Sequence, residues 1–315
     1  MKAAVLNKFG PVDVMEIVEL PMPEIGDEQV LVKVAAAGIN PIDWKIREGW
    51  MSDRYGKEFP MVLGFDASGT IEKVGSAVQG LLPGDAVFAR SDVGAGGCYA
   101  EYAALNANTV VHKPVGLSDE DAAAMPLAAL TALNGLRDVG RIKPGHKVLI
   151  NGASGGVGVY AVQIARNMGA EVTGVCSGGN MDLVRELGAD AVIDYTRQDP
   201  LASGDTWDLI YDAVGTLKYL QARKYLTPAG VYMTLVPVAD IDFFLPGQTH
   251  VVAQGGYFLV WAPTAADLQI LADWVDEGRL YSIIDSSFAL DEIQAAHERS
   301  QTERARGKIV VKMQS

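Results

Sequence analysis

Along the first 120 residues, short apolar runs alternate with turn residues, a pattern that predicts strands and little helix. "MKAAVLNKFG" reads as an opening strand and "VLVKVAAAGI" as another, while "PMVLGFDASGTIEKVG" reads as two short strands around glycine punctuation. The Pro-Gly-Asp of "VQGLLPGDAVFA" marks a tight turn into a further strand. Several short strands at this spacing predict a small barrel or sandwich. Near Ser118 the pattern changes. "LSDEDAAAMPLAALTALNGLRDVG" offers Ser118 as an N-cap, with Asp121 three positions later, ahead of a long alanine-rich helical run.

From Lys147 the order becomes strand, glycine turn, helix, then strand and helix in alternation. "KVLING" leads into helix "GVYAVQIARNMGA", and strand "EVTGVCS", helix "MDLVRELGA" and strand "AVIDY" follow. Strand "DLIYDAVG", helix "LKYLQARKYL" and strands "GVYMTL" and "YFLVW" complete the unit. Such alternation predicts an α/β fold with a doubly wound parallel sheet covered on both faces. The remaining helices, "AADLQILADWVDEG" and "SFALDEIQAAHERSQ", and the strand "KIVVKM" are expected to return to the first domain.

The turn between "KVLI" and the helix is "NGASGGVG", residues 151–158. A dinucleotide-binding turn has the form G-x-G-x-x-G between strand and helix. Here Ala153 replaces the first glycine, followed by Gly155 and Gly158, with Gly152 and Gly156 added. Gly155 would let the backbone approach a pyrophosphate, and Gly158 would let the helix pack against the strand. The helix N-terminus would turn its N–H groups toward the negative charge. NAD is marked by an acid about 20 residues further on. No Asp or Glu occurs from Val172 to Met181, whereas Ser177 and Asn180 can hydrogen-bond a 2′-phosphate and Tyr195 ends the next strand. No Lys or Arg lies between Arg166 and Arg185. NADPH is the expected cofactor, ahead of NADH.

Composition narrows the classes further. At 315 residues the chain has room for two domains, and 49 % hydrophobic and 21 % charged residues are ordinary for a globular protein. A formal charge of −13 argues against a nucleic-acid partner. No apolar run reaches the roughly 20 residues of a membrane span, so no membrane partner and a cytoplasmic location are expected. Two cysteines, Cys98 and Cys176, cannot build a disulfide framework and read as small apolar fillers.

Together these stretches resemble the zinc-free quinone oxidoreductase branch of the medium-chain dehydrogenase/reductase superfamily, the zeta-crystallin-like proteins. The resemblance is carried by "AAGINPIDWKIREG", "PMVLGFDASGTIEKVG", "PGDAVFA", "GGCYAEYAAL", "MPLAALTALNGL", "VLINGASGGVG", "LGADAVIDYT" and "ARGKIVVKM". It implies a GroES-like β-barrel catalytic domain, residues 1–120 with 262–315, around a Rossmann domain, residues 121–261. It also implies a homodimer through the Rossmann sheet edge. By position, Ser154, Gly155, Gly156, Val157 and Gly158 would meet the pyrophosphate, and Ser177, Asn180 and Tyr195 the adenosine ribose phosphate. Thr131, Val214, Phe258 and Val260 would surround the nicotinamide, Gly307 and Lys308 would approach the cofactor, and Asn40, Lys45 and Tyr99 would form the substrate mouth.

Zinc alcohol dehydrogenases of that superfamily place cysteine where Asn40 stands and Gly-His-Glu where "GFD" stands. Asn40 and Phe65 cannot supply a thiolate or an imidazole, so no metal is expected. His112, His146, His250 and His297 show no ligand spacing and are expected at the surface or an interface. Without a Lewis acid to stabilise an alkoxide, the hydride acceptor must spread charge itself, as quinones and α,β-unsaturated carbonyls do. Asn40 and Lys45 are the candidate donors to the carbonyl oxygen. Asp43 and Asp66 read as structural acceptors of backbone N–H groups. Trp50 and Tyr55 stand as candidates for an apolar pocket wall or for surface packing. A small-molecule quinone or enone is therefore the expected substrate. Two other readings stay open: a nucleotide-binding sensor or crystallin-type structural protein without turnover, and a metal-dependent alcohol dehydrogenase.

Overall fold

The structure, a computed structural model, describes residues 1–50, 52, 58–92, 96–202, 204–236, 250–252, 256–258 and 264–313. The chain divides into two compact units, residues 1–130 with 262–315 and residues 131–261. The first boundary was expected at 120/121 and lies ten residues later. The reason is the helix Asp119–Ala124, whose Ala122, Ala123 and Ala124 are buried. At Gly38 of the strand Gln29–Ile39, an added Cβ would lie 2.4 Å from the Ala123 carbonyl oxygen, so this helix belongs to the strand-rich unit.

In the first unit a small sheet orders Met15–Glu19, Lys2–Leu6 and Met61–Val62. A larger sheet runs Ile284–Ala289, Lys308–Lys312, Gln29–Ile39, Asp66–Val74, Ala86–Arg90 and Val110–His112, with Tyr102–Asn106 also paired to Gln29–Ile39. Their inward faces share one apolar core that includes Leu6, Val32, Ile46, Phe65, Tyr99, Leu105, Ile293 and Val311. The expected long helix after Ser118 is instead two, Asp119–Ala124 and Pro126–Asn134. Ser118 caps the first by accepting from Asp121 N at 3.0 Å, and Pro126, which has no N–H to continue the pattern, opens the second.

In the second unit the strands are Ala191–Asp194, Glu171–Cys176, Lys147–Asn151, Trp207–Asp212, Leu226–Thr234, Gly256–Phe258 and His250–Val252, in that spatial order. The first six are parallel and the last antiparallel. Numbered along the parallel set, the order is 3-2-1-4-5-6, and it reverses beside Lys147–Asn151, where a doubly wound sheet opens a crevice for a ligand. Helix Gly158–Asn167 crosses from that strand, with Val159, Tyr160, Val162 and Ile164 fully buried. His250–Val252 is a strand that the apolar pattern did not reveal.

Candidate functional site

In the second unit, the turn after Lys147–Asn151 is tied to its neighbour: Gly152 N and Ala153 N both donate to Val175 O, at 3.1 and 2.9 Å. Gly152 sits at φ +81°, a conformation that glycine adopts without steric cost. A Cβ on Gly158 would lie 2.0 Å from Gly152 O, so the helix starts as close to the strand as glycine alone permits. The helix is built directly onto the turn: Val159 N donates to Gly155 O at 3.0 Å, and Tyr160 N and Ala161 N to Val157 O at 3.2 and 2.9 Å, so the positive end of its dipole faces the turn. Ser154, Gly155, Gly156 and Val157 lie in this turn, and Gly158 opens the helix.

Asn180 Nδ2 donates to Ser154 Oγ and to Ser177 Oγ, both at 3.2 Å. The fold therefore gathers these three polar side chains where the first and second strands end. Tyr195, 46 % exposed, follows the third strand, and its N–H donates to Cys176 O at 3.1 Å. Val214 reaches the same turn, since a Cβ on Gly152 would meet its Cγ1 at 2.9 Å. Thr131 is half-buried, and its carbonyl accepts from Tyr211 Oη at 3.2 Å. Phe258 pairs with Thr234 on the sixth parallel strand, and Val260 lies outside the described residues. One group escaped sequence reasoning. Asp212, fully buried, accepts from Asn151 Nδ2 at 2.8 Å, from Gly215 N and Leu217 N at 2.9 Å, and from Val214 N at 3.2 Å. It holds the loop that carries Val214, and its signal was an aspartate ending an apolar strand before "AVGT".

These glycines and polar side chains fit a dinucleotide. The turn leaves space that a side chain would fill, the helix terminus suits a pyrophosphate, and Ser154, Ser177 and Asn180 would hold the adenosine ribose end.

In the first unit, a buried polar cluster surrounds the start of the helix Pro41–Arg47. Asp43 Oδ2 accepts from Asn40 N at 2.7 Å and from Tyr99 Oη at 2.5 Å, while Asp43 Oδ1 has no hydrogen-bond partner. Asn40 Nδ2 donates to Asp66 Oδ2 at 2.9 Å, and Leu127 N donates to Asp66 Oδ1 at 2.9 Å. Lys308 Nζ donates to Asn40 Oδ1 at 2.5 Å and Ile39 O at 2.9 Å, and lies 4.0 Å from Asp66 Oδ2. Burial raises the Asp43 carboxyl to about 7, against the Tyr99 and Asn40 hydrogen bonds that lower it. Asp66 is also raised by burial, with Lys308 opposing, and burial lowers Lys308, with Asp66 opposing. Burial thus pushes both carboxyls toward the protonated form, while Lys308, and Arg90 at Asp66, favour their charged forms.

Four expectations change here. The Asn40 amide N–H was assigned to a substrate oxygen and is instead given to Asp66, because the two strands bring these side chains face to face. Tyr99 was placed at the substrate mouth and is fully buried, its hydroxyl donating to Asp43. Lys308 was placed at the cofactor and is buried among Ile39, Asn40 and Asp66, because its strand pairs with Gln29–Ile39. Gly307, at φ +90°, packs on Ile283, whose carbonyl oxygen would lie 2.2 Å from an added Cβ.

His297, expected at the surface or an interface, is fully buried within its unit. Its Nδ1 faces Arg47 Nη1 at 3.3 Å, and burial together with Arg47 lowers its pKa to about 3. Asp43 and Asp66 do accept backbone N–H groups, as read from the sequence. Cys98 and Cys176 are both buried free thiols. Trp50 is exposed and edge-on to Trp44, and Tyr55 lies outside the described residues.

Lys45 remains half-buried on the helix Pro41–Arg47, its Nζ 5.3 Å from the Trp44 ring centre. Burial lowers its pKa, with Glu303 opposing. The donors around Asn40 do not fit a zinc ion: an amide, a carboxylate and the hydrocarbon of Phe65, with an ammonium already lodged among them.

A doubly wound sheet with a glycine turn at its reversal point, in a chain with a second, strand-rich unit, is the architecture of a dinucleotide-binding protein. Residues 26–115 match the alcohol dehydrogenase GroES-like domain family, and residues 187–311 match the zinc-binding dehydrogenase family. The chain is 34 % identical to the mitochondrial NAD(P)H oxidoreductase RTN4IP1 of Mus musculus, over 99 % of this chain and 89 % of that one. It is 33 % identical to the 2-methylene-furan-3-one reductase of Solanum lycopersicum, over 99 % and 79 %. The solved quinone oxidoreductase of Coxiella burnetii superposes with a TM-score of 0.89 at 32 % identity, covering 100 % and 99 % of the two chains. This protein belongs to the quinone-oxidoreductase-like branch of the medium-chain dehydrogenase/reductase superfamily. It is an NAD(P)H-dependent reductase with a GroES-like domain and a Rossmann domain.

Proposed function

We propose that the protein reduces conjugated carbonyl acceptors, quinones or α,β-unsaturated carbonyls, with NADPH and without a metal ion. The observation that carries this reading is the ammonium of Lys308 within the cluster where a metal's donors would have to stand. NADPH, when bound, supplies the hydride. The turn 154–158 and the trio Ser154, Ser177 and Asn180 bind and orient it. An acceptor that gains a hydride needs one proton and a place to spread negative charge. Conjugation provides the second, and the ammonium of Lys45, drawn below its usual range, is the candidate donor for the first. The reductases of quinones and of a methylene-furanone among the relatives support both acceptor classes. The same reading includes a cytoplasmic homodimer, to be checked by fractionation and light scattering.

The test follows NADPH absorbance with a panel of quinones and 2-alkenals, before and after chelation, with elemental analysis of the purified protein. Turnover that persists without zinc is expected. Loss of turnover on chelation, or no oxidation with any acceptor, overturns the proposal.

A further inference from the structure

The stretch from 167 to 184 contains no basic residue to meet a 2′-phosphate. The fold brings one from the next strand. Ala191–Asp194 runs parallel to Glu171–Cys176, with Asp194 paired to Cys176, so residues 195–197 leave the sheet beside the turn formed by Ser177, Gly178, Gly179 and Asn180. Asp194 anchors that turn. It accepts from Gly178 N, and from Thr196 N at 3.0 Å and Thr196 Oγ1 at 2.7 Å. Its Oδ2 would lie 2.7 Å from a Cβ on Gly178, so the carboxylate is pressed against the turn from below. These hydrogen bonds hold Asp194 below the usual carboxylate range, and it is ionised at neutral pH.

A fixed anion at this place would repel a phosphate ester, unless a cation faced both. Arg197 is that cation. Its Nε lies 3.5 Å from Asp194 Oδ2, with the side chain 86 % exposed while that of Asp194 is 8 % exposed. One edge of the guanidinium is thus against the carboxylate and the other is open to solvent. The other nearby base, Arg185, is engaged with Asp182 at 2.8 Å on the helix Met181–Glu186. The Asp194 oxygens are taken up by Gly178, Thr196 and Arg197, so this acid is not arranged to hold ribose hydroxyls as an NAD-selecting acid would.

We propose that Arg197 is the specificity residue for NADPH, its guanidinium bridging Asp194 and a 2′-phosphate held at Ser177 and Asn180. The planar fork of arginine suits a carboxylate on one edge and a phosphate on the other. This assignment rests on the NADPH reading above.

The experiment titrates the full chain and its Arg197→Gln and Arg197→Lys variants with NADPH and NADH by cofactor fluorescence. Competition by 2′,5′-ADP and 5′-AMP isolates the phosphate. Removing a charge-assisted contact is expected to weaken NADPH and 2′,5′-ADP by about tenfold or more, and NADH and 5′-AMP by less than about twofold. Arg197→Lys is expected to fall between, and the NADPH affinity of Arg197→Gln to depend less steeply on salt. If the unmutated chain prefers NADPH and Arg197→Gln keeps that preference, the assignment to Arg197 fails and the NADPH reading stands. If the unmutated chain binds NADH as tightly as NADPH, both fail.

Discussion

Asp43 is a carboxyl sealed from water, with one oxygen shared by two donors and the other bare. Its pKa rises from 3.8 to about 7 on burial, so the folded chain binds this proton more tightly than the unfolded one. The stability it contributes is present in full below the unfolded pKa and is lost as pH rises through about 7. His297, lowered to about 3, acts in the opposite sense: its share is lost as pH falls from 6.5 toward 3. Comparison with Asp43→Asn cancels the histidine, which both proteins carry. In urea unfolding from pH 5 to 8, the native protein is expected to lose stability relative to this variant by up to about 1.4 kcal/mol per pH unit, flattening above pH 7. A difference that does not change with pH would mean that Asp43 is ionised throughout. At this scale the sequence was legible in kind but not in pairing. The aspartates read correctly as acceptors, whereas Asn40 and Tyr99 were given to the substrate because nothing local reveals Asp66 and Asp43 as their partners. Lys308, 268 positions from Asn40, was still less accessible to a local reading.

The glycine turn was the most legible element, because strand, turn chemistry and helix sit in one continuous stretch and each demands the next. Its tightest point gives a direct expectation. Gly158→Ala places a methyl group 2.0 Å from a backbone oxygen, so the turn must open and the helix must shift. Overpacking of this kind costs about 1–3 kcal/mol. Urea unfolding is expected to show that loss, and NADPH affinity is expected to fall with it. Unchanged stability and affinity would show that the helix start can slide without consequence. Elements with weaker local signals were missed or merged. The apolar run after Ser118 showed no internal break, yet Pro126 splits it because a missing N–H matters more than hydrophobic periodicity. His250–Val252 is three residues long, too short for any periodicity to emerge.

At the scale of the molecule, one unit is a continuous segment and the other is assembled from two distant ones. A ligand that binds only the native form slows opening by 1 + [L]/Kd. With NADPH at one hundred times its Kd, amide exchange in Lys147–Asn151 and Glu171–Cys176 is expected to slow by about 100-fold wherever it requires unfolding of that unit. Unchanged exchange there, at demonstrated saturation, would place the nucleotide elsewhere. The change of pattern was legible near Ser118, but the boundary at 130/131 was not, because an alanine-rich helix looks the same whichever core it covers.

The strand Lys308–Lys312 lies between Ile284–Ala289 and Gln29–Ile39 in its sheet and carries the ammonium that neutralises Asp66. On a ribosome, residues 1–130 emerge before the nucleotide-binding segment and must wait while the whole of it is synthesised. Until that strand arrives, the N-terminal portion has an open sheet edge and an acidic pair without its counter-charge, so its maturation waits on the translation of every residue up to 308. A product halted before residue 308 would carry a complete glycine turn beside an unfinished partner. Such a nascent species is one that chaperones and proteases are built to recognise.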